Sequence, residues 1–272
     1  MSFSIQLFEK IKQYASPKEI SWIEAKINGN LQTLQTAFVA TPRFISKNPI
    51  QSTDIINDVC INEWPLDRLV RLYLLTLLNS TDKEAYTKTI DTLFETAENN
   101  EAVALISSLP FLVFPDYWML RATDAVRSNN GLIFDAIAFQ NPYPKQHFSE
   151  LAWNQLVLKC IFNDKSIHRI QGLNERANQE LANSISYLAH ERWAAGRTIP
   201  AQAWRLVSRF MNDMILSDIC TLFLSQNSND NIAAALVCNE TDFLAAKEEL
   251  KKYFELYQSV QNEQITWQTL EA

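Results

Sequence analysis

Apolar residues recur at three- and four-residue spacing along almost the whole chain, the period of a helix that buries one face. Phe3, Leu7, Phe8 and Ile11 make the first such face. Ser16-Pro17 then supplies an N-cap and a first-turn proline for a second helix through Trp22 and Ile27, closed by Gly29. Leu31, Leu34, Phe38 and Val39 predict a third helix. The stretch from Thr41 to Ile61 carries two prolines and no helical period, so it reads as a looser connection.

From Pro65 the run Leu66, Leu69, Val70, Leu72, Leu74, Leu75 and Leu78 is apolar almost all round and predicts a buried helix. Arg68 and Arg71 interrupt it. Two arginines one turn apart in such a helix must reach its edge or meet carboxylates, and a structural ion pair is preferred to a ligand-binding role. Asp82 to Asn99 predicts an outer helix and Glu101 to Leu109 a short inner one. Pro110 and Pro115 bracket a turn that presents Phe111, Phe114, Tyr117 and Trp118, read as core. The helix after Pro115 stops at Ser128-Asn129-Asn130-Gly131 and is followed at once by Leu132 to Ile137, an αα-hairpin signature.

These elements predict an all-α fold, an array of antiparallel helix pairs. Either a HEAT- or armadillo-like α-solenoid or a compact helical superhelix would satisfy the pattern, because no clean repeat period selects between them. One domain over 1–272 is expected, with a looser N-terminal part over 1–61. Only four glycines occur, which removes glycine-rich phosphate cradles from consideration.

Between residues 141 and 209 the pattern changes, because amides, guanidiniums and large aromatics stand among apolar positions at helical spacing. Burying them is costly unless they find partners. Asn141-Pro142-Tyr143-Pro144 is an elbow, since each proline pushes the residue before it out of the α region. Ser149 caps a helix from Glu150 to about Asn163 whose apolar residues cover nearly the whole circumference, so this helix is expected to be central. Asn154 falls among them and must be hydrogen-bonded, with the elbow backbone the expected partner.

On the helix from Arg176 to Ala195, Ala177, Leu181, Ile185 and Leu188 define a dry face, and Arg192 projects within about 20° of Leu181. Arg192 is therefore a buried-arginine candidate. His190 lies about 180° away, with Gln179, Asn183, Ser186 and Ala194, on a face that is either solvent or a groove. Gly196 closes the helix, and Pro200 is read as opening the next, with Trp204, Val207, Phe210, Met211 and Met214 inward. The segment Asp242 to Gln261 predicts one amphipathic helix with Leu244 and Phe254 inward, and the last ten residues are expected to be partly mobile.

Charge and composition narrow the function. A net charge of −7, mixed along the chain, offers no basic stripe for nucleic acid or anionic lipid. No secretory signal or membrane-spanning run is seen, so a cytoplasmic protein is expected. Cys60, Cys160, Cys220 and Cys238 are widely spaced among apolar neighbours and read as reduced core residues. No metal or cofactor is called for. His190 and Glu191 are adjacent, so they diverge by about 100°, and H-E-x-x-H does not occur.

Four runs carry a family resemblance: Asn141-Pro142-Tyr143-Pro144, Trp153 to Lys159, Gly172 to Asn178, and His190 to Arg197, with Trp204-Arg205. They resemble the EboA family, densely across 120–209, and Asp67-Arg68-Leu69 through Arg71 fits as well. An EboA-like core over 62–224 follows. Asn174 and Ser149 stand where the family has an aspartate, and Gln179 where it has a proline. Asn174 and Ser149 remain able to cap helices. The resemblance implies membership of a bacterial ebo gene cluster that includes a UbiA-type prenyltransferase and serves the production or trafficking of a small secondary metabolite. It implies no reaction.

Two functional readings remain. In the first, the protein is a binding or partner module for other ebo-cluster proteins or a small apolar metabolite, through Asn141, Tyr143, Asn154, Arg192, Arg197, Arg68 and Arg71. In the second, it is an enzyme acting on a small metabolite, with isoprenoid and phosphorylated compounds as the candidates. His190 and Glu191 would then work as acid and base, with Arg192 or Arg197 binding an anion. Convergence of His190, Arg192 and Asn154 on one open pocket separates the two.

Overall fold

The computed structural model describes residues 2–271. The protein is all-α, with one two-stranded hairpin among the described residues. Its contacts divide into two compact units, Met1–Phe148 and Ser149–Ala272.

The first unit holds α1 (Phe3–Tyr14), α2 (Pro17–Glu24), α3 (Leu31–Ala40), the hairpin of β1 (Ile55–Ile56) and β2 (Val59–Cys60), α4 (Leu66–Thr76), α5 (Lys83–Thr96), α6 (Asn99–Ser108), α7 (Met119–Arg127), α8 (Gly131–Ala138) and α9 (Tyr143–His147). The apolar run after Pro65 becomes its centre: α4 packs against α1, α3 and α6, with Leu66, Leu69, Val70, Leu72 and Leu74 buried. The α2 start forms as expected. Ser16 accepts from the Glu19 backbone, and the Glu19 carboxylate accepts from the Ser16 backbone, a reciprocal box. Gly29 serves space rather than a left-handed turn, since a Cβ there would lie 2.7 Å from Thr33 Cγ2.

The stretch read as loose is tied in place. Ile50 N–H donates to Trp64 O at 2.8 Å and Glu63 N–H to Ile50 O at 2.8 Å, while Ile45, Ile50, Ile56, Val59 and Ile61 are buried. Its order comes from β-type pairing of a kind helical periodicity does not reveal.

The second unit holds α10 (Glu150–Phe162), α11 (Gln179–Ala194), α12 (Asp213–Phe223), α13 (Ser228–Glu240), α14 (Leu244–Lys251) and α15 (Phe254–Gln261). Its hub is α13 rather than α10. Ala233 to Cys238 are all buried, and α13 packs against α12, α14, α15 and the turns over 201–206. On α10, Leu151 and Phe162 are exposed, so its apolar coat is not fully covered.

Three expectations in this unit are corrected. The helix read from Pro200 to Met214 is instead 3₁₀ turns over 201–206 and 208–210, and α12 starts anew because Asn212 caps it, accepting from Ile215 N–H at 3.0 Å. The single helix over 242–261 breaks at Tyr253, whose ring stacks on Phe223 at 4.0 Å; Leu244 and Phe254 face outward. Finally, the segment at Trp267 to Leu270 is held rather than loose: Trp267 is buried and donates from Nε1 to Glu240 Oε1 at 2.6 Å, while the last residue lies outside the described ones.

Candidate functional site

The C-terminal end of α11 builds one wall of a cleft. Gly196 adopts φ 67°, a left-handed turn natural to glycine. It lets Gly196 N–H reach Trp193 O at 2.9 Å and Arg197 N–H reach Arg192 O at 2.8 Å, so the helix ends in a Schellman turn. The chain then runs past Ile199 and Pro200 into the 201–206 turns. Around this bend lies a cleft of about 590 Å³ bordered by Arg192, Arg197, His168, Gln202, Asn229 and Glu271. Charged groups and amides dominate its rim.

The Arg192 side chain is only 11% exposed, in keeping with a buried arginine, and it lies where the ends of α10 and α11 meet. Its guanidinium donates to Thr198 O at 3.3 Å and to Phe162 O, lies 3.6 Å from Asp164 Oδ1, and stacks over the Phe162 ring. These contacts staple the end of α10 to the end of α11. Arg197, by contrast, is exposed at the rim, and among the described residues its guanidinium has no ion pair. His168 contributes a ring nitrogen 3.3 Å from Gln202 Oε1, and Gln202 in turn donates to Leu270 O at 2.6 Å.

His190 and Glu191 do not border this cleft. His190 Nε2 meets Asp218 Oδ1 of α12 at 2.5 Å, and Ser186 Oγ donates to the other oxygen of the same carboxylate at 2.5 Å. Ser186, which the wheel put on the open face, is fully buried because α12 covers it; Asp218 is buried as well. A carboxylate orienting an imidazole is the arrangement of a general base. However, Ser186 bonds the carboxylate and not the ring, so His190 is not placed to take its proton. Glu191 is exposed.

Asn154 is buried and paired, but its partner is Asn178 rather than the elbow. The two side-chain amides bond reciprocally at 3.1 and 2.8 Å, while Asn178 also caps α11 through Leu181 N–H. His190, Arg192 and Asn154 therefore do not converge on one pocket.

In the first unit the candidate residues also sit in structural contacts. Arg71 bonds Asp67 at 3.1 Å and Phe38 O at 3.1 Å, with Glu101 at 3.9 Å, all in buried surroundings. Desolvation draws its pKa down, with Asp67 and Glu101 opposing the shift. Arg68 lies over the Trp64 ring at 3.8 Å and donates to Ser107 Oγ. Asn141 donates to Ala136 O at 2.9 Å and accepts from Tyr143 N–H at 3.0 Å; the elbow is shorter than expected, because Tyr143 and Pro144 open α9, and Tyr143, fully buried, donates to Pro115 O.

Sequence reading missed His168, Gln202, Asp218 and Glu271. A signal existed for Asp218: it stands three residues after Ile215 and four before Leu222, on the apolar stripe of α12, where a carboxylate needs a partner.

Among the described residues no helix is long and apolar enough to cross a membrane. What stands is an all-α protein with a polar cleft at the end of α11. It belongs to the EboA family, described as metabolite traffic proteins, whose family pattern matches residues 4–208. No curated protein and no solved structure matches the chain.

Proposed function

We propose that this protein binds a small metabolite in the cleft beside Arg197 and hands it on, rather than transforming it. The observation that carries this reading is the division of labour at the end of α11. Arg192 is consumed by structural contacts, while Arg197 and His168 stand at the rim of a roughly ligand-sized, polar cleft. The imidazole best placed for proton transfer, His190, lies outside it. This supports binding over acid–base catalysis at His190 and Glu191.

The lining suits a ligand bearing an oxyanion or several polar groups better than the apolar metabolite expected from sequence, because an apolar body there would strip water from guanidinium and amide groups without replacing their bonds. An apolar tail can extend outside the cleft. Traffic within an ebo cluster then amounts to exchange of this ligand with partner proteins.

The test is native mass spectrometry of the protein purified from its natural source, as wild type and as Arg197→Gln. A small anionic adduct that is present in the wild type and lost in a normally folded variant supports the reading. An empty wild-type protein, or an adduct indifferent to Arg197, overturns it.

A further inference from the structure

His168 and Gln202 both border the cleft, and the bonds behind them decide which hydrogen bonds the imidazole can make. Gln202 lies in the 201–206 turns and is buried. Its Nε2 donates to Leu270 O at 2.6 Å, and a backbone carbonyl can only accept. Turning the amide over would set two oxygens against each other, so Oε1 is the end that faces His168, 3.3 Å from Nδ1. Oε1 can only accept in its turn. Nδ1 must therefore carry the proton, and the neutral ring keeps its lone pair on Nε2.

The far end of this relay is itself held. Leu270 closes the 3₁₀ turn over 267–270, which the buried Trp267 ties to Glu240. At the near end, His168 is partly exposed at the cleft, and among the described residues no hydrogen bond reaches its Nε2. The carboxylates on the cleft's border, Asp164 and Glu271, are engaged by Arg192 and Arg205. Arg197 can only donate. The cleft thus offers a cationic donor at Arg197 and a neutral acceptor at His168.

We infer that Gln202 is a positioning residue that locks His168 as a hydrogen-bond acceptor, so that the ligand of the cleft carries a hydroxyl or N–H group to meet Nε2 as well as an oxyanion to meet Arg197. A ligand without that donor takes water from the Nε2 lone pair and returns no bond, which is the source of discrimination. This inference rests on the reading of the cleft as a ligand site, and it adds the second group that the ligand must carry and the residue that enforces it.

Long-range proton–nitrogen NMR of the full chain at about pH 8.5, where an ordinary imidazole is neutral, reads the tautomer. Wild-type His168 should show a protonated Nδ1 and a bare Nε2, and Gln202→Met, which offers no acceptor, should move the ring towards the Nε2–H form. A wild-type ring protonated at Nε2 refutes the lock, whatever the variant does. Isothermal titration with glycolate, 3-hydroxypropionate and 4-hydroxybutyrate, and with the methyl ether of each, reads the ligand class; circular dichroism verifies that each variant folds. At least one hydroxy acid should bind wild type about tenfold tighter than its ether, a difference that His168→Phe removes, while Arg197→Gln weakens both compounds. Equal affinity for acid and ether, with both weakened by Arg197→Gln, refutes the donor requirement and leaves the cleft reading standing. Discrimination that survives His168→Phe is steric and refutes it equally. Discrimination that His168→Phe removes, with affinities that Arg197→Gln does not touch, upholds the donor requirement and refutes the place given to Arg197. Absence of binding by every compound overturns both.

Discussion

The His190 imidazole meets the Asp218 carboxylate at 2.5 Å, and of the two only the imidazole reaches solvent. The carboxylate is buried and its other oxygen is held by Ser186, so His190 is the polar link between a buried charge and water. A residue in that position acts on stability first. His190→Ala should therefore lower unfolding free energy by roughly 1–3 kcal/mol, the cost of leaving a buried polar group short of a partner. Asp218→Asn, which keeps both hydrogen bonds possible, should cost less. Urea unfolding measures both; an unaltered midpoint in His190→Ala would mean that the contact carries no stability and would return His190 to the list of functional candidates.

The ion cluster of α4 predicts a larger effect. Arg71→Met leaves Asp67 and Glu101 in buried surroundings without their cation, at a cost of about 3–5 kcal/mol. Arg71→Lys should recover only part of it, because one ammonium cannot reproduce the planar fork that reaches Asp67 and Phe38 O together. Thermal melts of the two variants should separate them, and a lysine variant as stable as wild type would show that geometry is unimportant here.

Asn154 and Asn178 should behave as a coupled pair. Either single change to Ala removes both amide bonds, so the double variant should cost clearly less than the sum, with a coupling of about 0.5–3 kcal/mol in a double-mutant cycle. Additivity would contradict the pairing. Asn178→Ala should be the worse single change, since it also uncaps α11.

A pH effect follows from Asp230, buried at the start of α13, whose pKa is raised by burial and only partly drawn back by the Ser225 hydroxyl. Folding thus holds this proton more tightly than the unfolded chain does. Its contribution is most favourable at acid pH, falls as pH rises from the ordinary aspartate value through the raised one, and is least favourable at neutrality. Asp230→Asn should raise the melting temperature at pH 7 and leave it nearly unchanged near pH 3. An equal shift at both pH values would rule out the ionisation as its cause.

How much of this was legible in sequence depends on which interactions are local. The N-cap at Ser16, the apolar α4, the αα-hairpin at Asn130-Gly131 and the Gly196 turn are all written within a few residues, and they form as read. The pairing over 50–64 and the central α13 were not legible. The first rests on bonds across a hairpin, and the second is a helix of small residues buried on every side, so neither has an amphipathic signature. At the site, the helical wheel placed His190 opposite Leu181 correctly in angle, but it could not know that α12 would come to cover Ser186 and supply Asp218. Likewise, Arg192 and Arg197 stood out by type, whereas His168, Gln202 and Glu271 reach the cleft from segments far away in sequence.

Binding in the cleft at Arg197 and His168, away from His190, is the property on which the proposed function turns. Side-chain NMR of labelled protein measures this directly, by following arginine Nε–H and histidine ring resonances as a small-molecule extract of the source cells is added. Arg197 and His168 should shift in a saturable manner while Arg71 and His190 stay in place. Saturable shifts at His190 with none at Arg197 would contradict it.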